Sequence, residues 1–122
     1  MPALDFRIMI STQPEMIQHL DTALPVSSIL AQTQAFLERC CWKLEINNEI
    51  IEIPKNVELV VRSRAFVKAD LNDLFLGDHF EAVVLLGQEI VGENICARYG
   101  VLRMYFNLAG QFVSEDRYNK HA

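Results

Sequence analysis

The sequence predicts an α+β fold, with an N-terminal helical region followed by mostly antiparallel strands that form two packed sheets or a partly open barrel. Residues 26–40 repeat apolar side chains with the period of a helix, whereas later segments alternate or run apolar over the length of a strand. An Asn47-Asn48 pair separates two such segments, as in a β-hairpin, and turns containing glycine separate several others.

Length and charge limit the class of protein. The chain has 122 residues, 51% of them hydrophobic, which predicts one domain over residues 1–122 with a core that needs no disulfides. Sixteen acidic and eleven basic residues give a formal net charge of -5. This charge disfavours nucleic acid and anionic membranes as partners.

Cysteine usage and hydropathy predict a cytoplasmic protein. The cysteines number three, and Cys40 and Cys41 are adjacent, which does not favour a disulfide framework. No charged leader precedes an apolar segment, and no apolar run is as long as a membrane span. We therefore expect a reduced protein that does not associate with membranes.

An N-terminal extension, residues 1–25, precedes the main helix. Apolar and polar residues alternate over residues 4–10, which predicts a strand with one buried face. Thr12 and Glu15 have the spacing of a capping box, so we expect a short helix over residues 13–20.

The main helix is predicted over residues 26–40, with Ser27 or Ser28 as its N-cap. The residues expected to be buried are Ile29, Phe36 and Leu37. An apolar stripe wider than one monomer's core can cover would form a two-fold interface, so a homodimer is one expected assembly.

The hairpin around Asn47 and Asn48 is the most specific local prediction. Asparagine tolerates positive φ better than most residues, so the pair suits a two-residue type I′ turn. This turn would place Leu44 opposite Ile51, and Lys43 opposite Glu52 as a pair of opposite charge.

The rest of the chain predicts further strands separated by polar turns. They are a central strand within residues 57–67, a hairpin of residues 80–86 with 89–97, and a last strand over residues 101–108. A helical turn or buried loop is expected at residues 71–78, and residues 114–122 are expected to fray.

Catalytic, metal and cofactor sites are not expected. The three histidines are far apart in the sequence, and none has ligand spacing to another histidine or a cysteine. No serine or cysteine lies in a pattern typical of a nucleophile with its base. Arg62 and Arg64 are two apart on one predicted strand, so they would share a face and could hold a carboxylate, although such pairs more often solvate a surface.

A binding surface is expected along the strand that ends at Gly87. Four consecutive apolar residues, Val83 to Leu86, give this strand apolar side chains on both faces, of which a half-exposed sheet buries one. The candidate partner-binding residues are Val84, Leu85, Leu86, Gly87 and the neighbouring Ile53. Gly87 would let a ligand backbone approach closely. The alternative is a central strand buried on both faces.

Several segments have a counterpart in a known family. They are Ile51-Glu52-Ile53-Pro54, the strand at 57–61, Leu74-Phe75-Leu76-Gly77-Asp78, the strand closing on Gly87, and Val101-Leu102-Arg103-Met104-Tyr105 with Gly110. Over residues 26–112 the chain resembles the stringent starvation protein B family, adaptors that deliver tagged substrates to an AAA+ protease. The resemblance implies peptide capture and a dimer formed by the main helix. The family's long tail, which ends in a protease-docking segment, has no counterpart before Ala122.

The expected function is therefore non-catalytic binding of a protein or peptide segment. Type III secretion chaperones are similar in size, acidity and order of elements, and the small β domains of flagellar and type III export switch proteins resemble residues 71–106. Both resemblances imply the same class of function. An inhibitor or immunity protein that binds one folded partner is the alternative, and an enzyme is the third option.

Overall fold

A computed structural model of the protein describes residues 14–69 and 77–119. The helices are α1 (Pro14–Ala23) and α2 (Val26–Arg39). The strands are β1 (Lys43–Ile46), β2 (Glu49–Glu52), β3 (Leu59–Val67), β4 (His79–Leu86), β5 (Glu89–Val91), β6 (Asn94–Cys96), β7 (Gly100–Phe106) and β8 (Phe112–Tyr118). The α+β prediction is confirmed, and the described strands form three antiparallel sheets that do not close into a barrel. The strand expected at 4–10 and most of the loop expected at 71–78 lie outside the described residues.

The main sheet has four antiparallel strands in the order β3-β4-β7-β8. Within the described residues β3 lies at an edge of this sheet, whereas the sequence predicts a central strand at 57–67. Apolar residues occur on both alternations of β3 because the two faces of the strand both pack: Leu59 and Val61 contact the main core, and Val60 contacts a smaller cluster on the opposite face.

The hairpin predicted from residues 80–86 and 89–97 is also wrong. Strand β4 pairs with β3 and β7, whereas β5 and β6 pair with each other in a separate hairpin. Because Leu86 pairs with Gly100, residues 87–99 leave the main sheet and return to it at the same end.

Residues 114–118 do not fray, contrary to the sequence prediction, because they belong to β8, which pairs with β7. The side chains of residues 115–118 have partners. Arg117 lies 5.8 Å from the ring centre of Phe36 and donates from Nε to Glu115 at 3.0 Å. The charged part of β8 is thus held by its backbone ladder and by cation–π contact, and Phe112 at the start of the strand packs against the main core.

Helix α1 ends at Ala23 rather than at residue 20. Its C-terminal end is tied to β3, because Arg64 donates to the Leu24 carbonyl at 3.1 Å and forms an ion pair with Asp21 at 2.8 Å. A cation at this position also complements the helix dipole.

Helix α2 agrees with the prediction in its bounds and its buried face, which includes Ile29, Phe36 and Leu37. The predicted serine N-cap is wrong: Pro25 occupies that position, and no side chain caps the helix. None of the described helices has the length and apolar composition needed to cross a bilayer.

One core fills the space between α1, α2, hairpin β1–β2 and one face of the main sheet. The Asn47-Asn48 turn is confirmed, with φ values of 53° and 67°, as are the pairs Leu44–Ile51 and Lys43–Glu52. The other face of the main sheet, which we call the outer face, carries a smaller cluster made of Val83, Leu85, Ala97 and Val101, with Val60 packed against it.

Candidate functional site

The strand expected to bind a partner is buried on both faces. Val84 and Leu86 belong to the main core, and Leu85 to the outer cluster; Ile53 is also buried in the main core. The expectation of an exposed apolar face on this strand is therefore wrong, and the alternative of a buried central strand describes it. A continuous apolar run results here from packing on both sides.

Gly87 has positive φ, +76°, but the close approach it permits is to its own chain. A Cβ at this position would lie 3.1 Å from the Tyr99 ring and 3.2 Å from Cβ of Arg98. Its neighbour Leu86 accepts a hydrogen bond from the Tyr99 backbone at 2.9 Å. Gly87 is buried, and its lack of a side chain allows residues 98–99 to pack closely against it where the chain returns to the sheet.

Arg62 and Arg64 do not share a face, contrary to the sequence prediction. In the β3–β4 register Val61 pairs with Val84 and Ser63 with Val83, so Arg62 is the extra residue of a β-bulge. Arg64 consequently faces the core side and holds α1, whereas Arg62 lies with residues of the outer face. One inserted residue separates two arginines that strict alternation would keep together.

The bulge places Arg62 at a pocket of about 230 Å³ on the outer face. The pocket, which we call the arginine pocket, is lined by Arg62, Val83, Val101, Arg103 and Tyr118. Its lining comes from four strands: Val83 pairs with Arg103 across β4 and β7, and Val101 pairs with Tyr118 across β7 and β8.

A polar chain runs from the pocket along the outer face. Arg103 donates from Nη1 to Glu81 at 3.1 Å, and the other oxygen of Glu81 lies 3.3 Å from Nε2 of the buried His79. Nδ1 of His79 lies 2.8 Å from the carbonyl oxygen of Gly77. Partial burial lowers the pKa of Arg103, but the attraction of Glu81, Tyr118 and Tyr105 together with the hydrogen bond to Glu81 outweighs it, so the pKa of Arg103 is raised.

Asp116 lies directly across from Arg103 on the next strand, yet it accepts its hydrogen bond from the Tyr105 hydroxyl at 2.5 Å. Burial, followed by this hydrogen bond, raises the pKa of Tyr105 above its ordinary value, so the phenol stays a donor at neutral pH. Asp116 is thereby satisfied without Arg103. Nε of Arg103 is shielded from solvent and has no hydrogen-bond partner among the described residues.

Hairpin β5–β6 is the second notable surface. Ile90 and Ile95 form a cross-strand pair and are 77% and 63% exposed, and Val91 is 56% exposed. Neighbouring residues of a strand point to opposite faces, so both faces of the hairpin meet solvent and it projects from the domain. The sequence signal that could reveal this is the shortness of two apolar stretches separated by Gly92, because three-residue strands are too short to run the length of the main sheet.

Other candidate sites in the described part of the chain have less structural support. No group of three or more metal-binding side chains converges there. A pocket of about 260 Å³ beside α2 is lined partly by Gln32, whose amide donates to the Gly110 carbonyl and accepts from the Phe112 backbone, both at 2.8 Å. Gln32 is thus occupied in holding the β7–β8 loop.

Comparisons with known proteins found no match. No family model, no curated protein and no solved structure matches this chain.

Proposed function

We propose that the protein is a non-catalytic protein-binding module and that it contacts its partner through hairpin β5–β6. The observation that carries the proposal is the exposure of Ile90, Val91 and Ile95 on a projecting hairpin. Adjacent exposed apolar side chains on a small domain are typical of protein interaction sites, because leaving them in water forgoes the free energy of their burial.

The proposal allows three kinds of partner. A projecting hairpin fits a concave apolar site on one folded protein, which favours an inhibitor or immunity type of function. Capture of protein segments for an AAA+ protease rests on the resemblance to the stringent starvation protein B family. A second copy of the chain is a third partner, which light scattering at micromolar concentration would reveal as a dimer.

The acidic character of the chain supports a protein partner over nucleic acid or an anionic membrane. The proposal places the protein in the cytoplasm, because Cys40, Cys41 and Cys96 are all free thiols. The proposal invokes no cofactor or metal.

The test is a quantitative pull-down from a lysate of the source cells. Wild type is compared with the double variant Ile90→Glu/Ile95→Glu and with Ile50→Glu as the matched control. Ile50 is an isoleucine on the other hairpin, in β2, and it is 71% exposed. Circular dichroism verifies that all three proteins are folded.

We expect a partner recovered by wild type and by Ile50→Glu to be reduced about tenfold or more by the double variant, as for central interface residues. Equal recovery by all three proteins would show that the hairpin is not the binding surface. One stoichiometric folded partner would support the inhibitor form, and many chains that share a terminal segment would support the adaptor form.

A further inference from the structure

The arginine pocket lies on the outer face of the main sheet, apart from hairpin β5–β6, and the proposed function does not use it. Its most exposed cation is Arg62, which the β-bulge turns towards Arg103 and Tyr118. Arg62 has no hydrogen bond or ion pair with any described residue, whereas Arg64 and Arg117 each have a carboxylate partner. A planar guanidinium is suited to a carboxylate, which it can bind through two parallel N–H donors.

Arg103 supplies a second guanidinium whose hydrogen bonds are incomplete. Nη1 is committed to Glu81, but Nε is buried without a partner among the described residues. The side chain is nevertheless 42% exposed, and Nη2 has no hydrogen bond to a described residue, so the guanidinium can still donate to a ligand. Glu81 and the stacking of the guanidinium 6.0 Å from the Tyr118 ring centre fix the Arg103 side chain before any ligand binds.

The floor of the pocket is apolar, because Val83 and Val101 belong to the outer cluster. At about 230 Å³, the pocket is smaller than the roughly 300–1,000 Å³ of sites for drug-sized ligands. It therefore suits a single amino-acid residue with an apolar side chain.

We propose that the arginine pocket binds the carboxylate of an apolar amino-acid residue, as found at the C-terminus of a protein chain. The carboxylate lies between Arg62 and Arg103, and the apolar side chain contacts Val83 and Val101. In a C-terminal residue both groups are attached to the same Cα, so a small pocket can hold them together. An internal glutamate would offer the carboxylate without a separate apolar group.

The charges around the pocket favour a monoanion over a phosphate or a polyanion. Glu81 already neutralises Arg103, and Asp116 lies on the same face. A multiply charged ligand would meet both carboxylates and a chain with a net charge of -5. Arg62 is the one cation lining the pocket without a described carboxylate partner, and it balances one negative charge.

The test uses the full chain labelled with ¹⁵N and with ¹³C methyl groups, titrated with defined probes and followed by NMR. The first probe is acetyl-Gly-Gly-Ala-Leu with a free C-terminus, and the second is the same peptide as its C-terminal amide. The third is an amidated acetyl-Gly-Gly-Glu-Ala peptide, and the fourth is N-acetyl-leucine. The signals followed are Nε–Hε of Arg62 and Arg103 and the methyl groups of Val83 and Val101.

We expect the free acid to shift the signals of these four residues together and to bind about tenfold or more tightly than the amide, which lacks the charge-assisted hydrogen-bond pair. Arg62→Gln should lower the affinity for the free-acid peptide by about the same factor. Arg98→Gln is the matched control, since Arg98 is an exposed arginine outside the pocket. Circular dichroism of both variants reports folding, and added salt should weaken binding.

Equal binding of acid and amide, or unchanged affinity in Arg62→Gln, would overturn the proposal. Binding of the internal glutamate peptide as tightly as the free acid would overturn the assignment to a C-terminus. N-acetyl-leucine binding as tightly as the peptide acid would assign the pocket to a free small acid instead. The result is independent of the hairpin experiment, because neither Ile90 nor Ile95 lines the pocket.

Discussion

Hairpins β1–β2 and β5–β6 share a local design but differ in their surroundings. Both are antiparallel pairs with a tight turn that uses positive φ, at Asn47 and Asn48 in the first and at Gly92 in the second. The first buries Leu44 and Ile46 in the main core. The second leaves Ile90 and Ile95 in solvent.

The difference in burial follows from how each hairpin is connected to the rest of the fold. Hairpin β1–β2 follows α2 after a reversal at Cys41 and Trp42, both with positive φ, and this reversal directs it back over the core. Hairpin β5–β6 is inserted between β4 and β7, which are already paired up to Leu86 and Gly100, so it extends beyond the end of the sheet. Local sequence specifies a hairpin, but the connection specifies whether it is buried.

The largest effect is expected for Leu44→Ala in the first hairpin. Leu44 is fully buried, and truncating a buried leucine to alanine costs about 2–5 kcal/mol through lost burial and the cavity that remains. A thermal melt should show a fall in Tm of roughly 10 °C or more for a domain of this size. A fall of only about 2 °C would mean that this hairpin is as weakly coupled to the core as the second one.

The sequence predicted the elements whose signals are local. The type I′ turn at Asn47-Asn48 follows from the φ preference of asparagine, and the buried face of α2 follows from its apolar period. Pairing between distant strands was not predicted, because an apolar run such as Val83 to Leu86 has the same pattern whether one face or both are covered.

The candidate site was missed for a related reason. The arginine pocket depends on a β-bulge at Arg62, and a single inserted residue leaves no mark in the alternation that single-sequence reasoning uses. The alternation of a strand predicts Arg62 and Arg64 as a pair, but the second arginine that lines the pocket with Arg62 is Arg103, which is distant in the sequence. Only the β3-β4-β7 order brings these two arginines together.

A smaller effect is expected when the turn of the first hairpin is changed. Replacing both Asn47 and Asn48 with valine forces a β-branched residue to positive φ at each position, and strain at the low end of its range costs about 1 kcal/mol per position. Tm should fall by several degrees. The control is Gly92→Ala in the second hairpin, where φ is +64° but a Cβ would meet no atom within 4 Å. If Gly92→Ala lowers Tm as much as the Asn47/Asn48 change, the two hairpins are equally coupled to global unfolding.

The smallest effect is expected for Ile95→Ala, the counterpart of Leu44→Ala in the second hairpin. Ile95 is largely in solvent in the folded chain, so its truncation removes little burial and should change the free energy of unfolding by less than about 0.5 kcal/mol. The same absence of core contacts predicts that backbone amides of β5 and β6 exchange with deuterium through local opening, at a lower protection than amides of β1 and β2. Hydrogen exchange followed by NMR measures both hairpins in one sample. Equal protection of the two, together with a clear loss of stability in Ile95→Ala, would show that the second hairpin is covered in solution, for example by a second copy of the chain at the surface proposed for the partner.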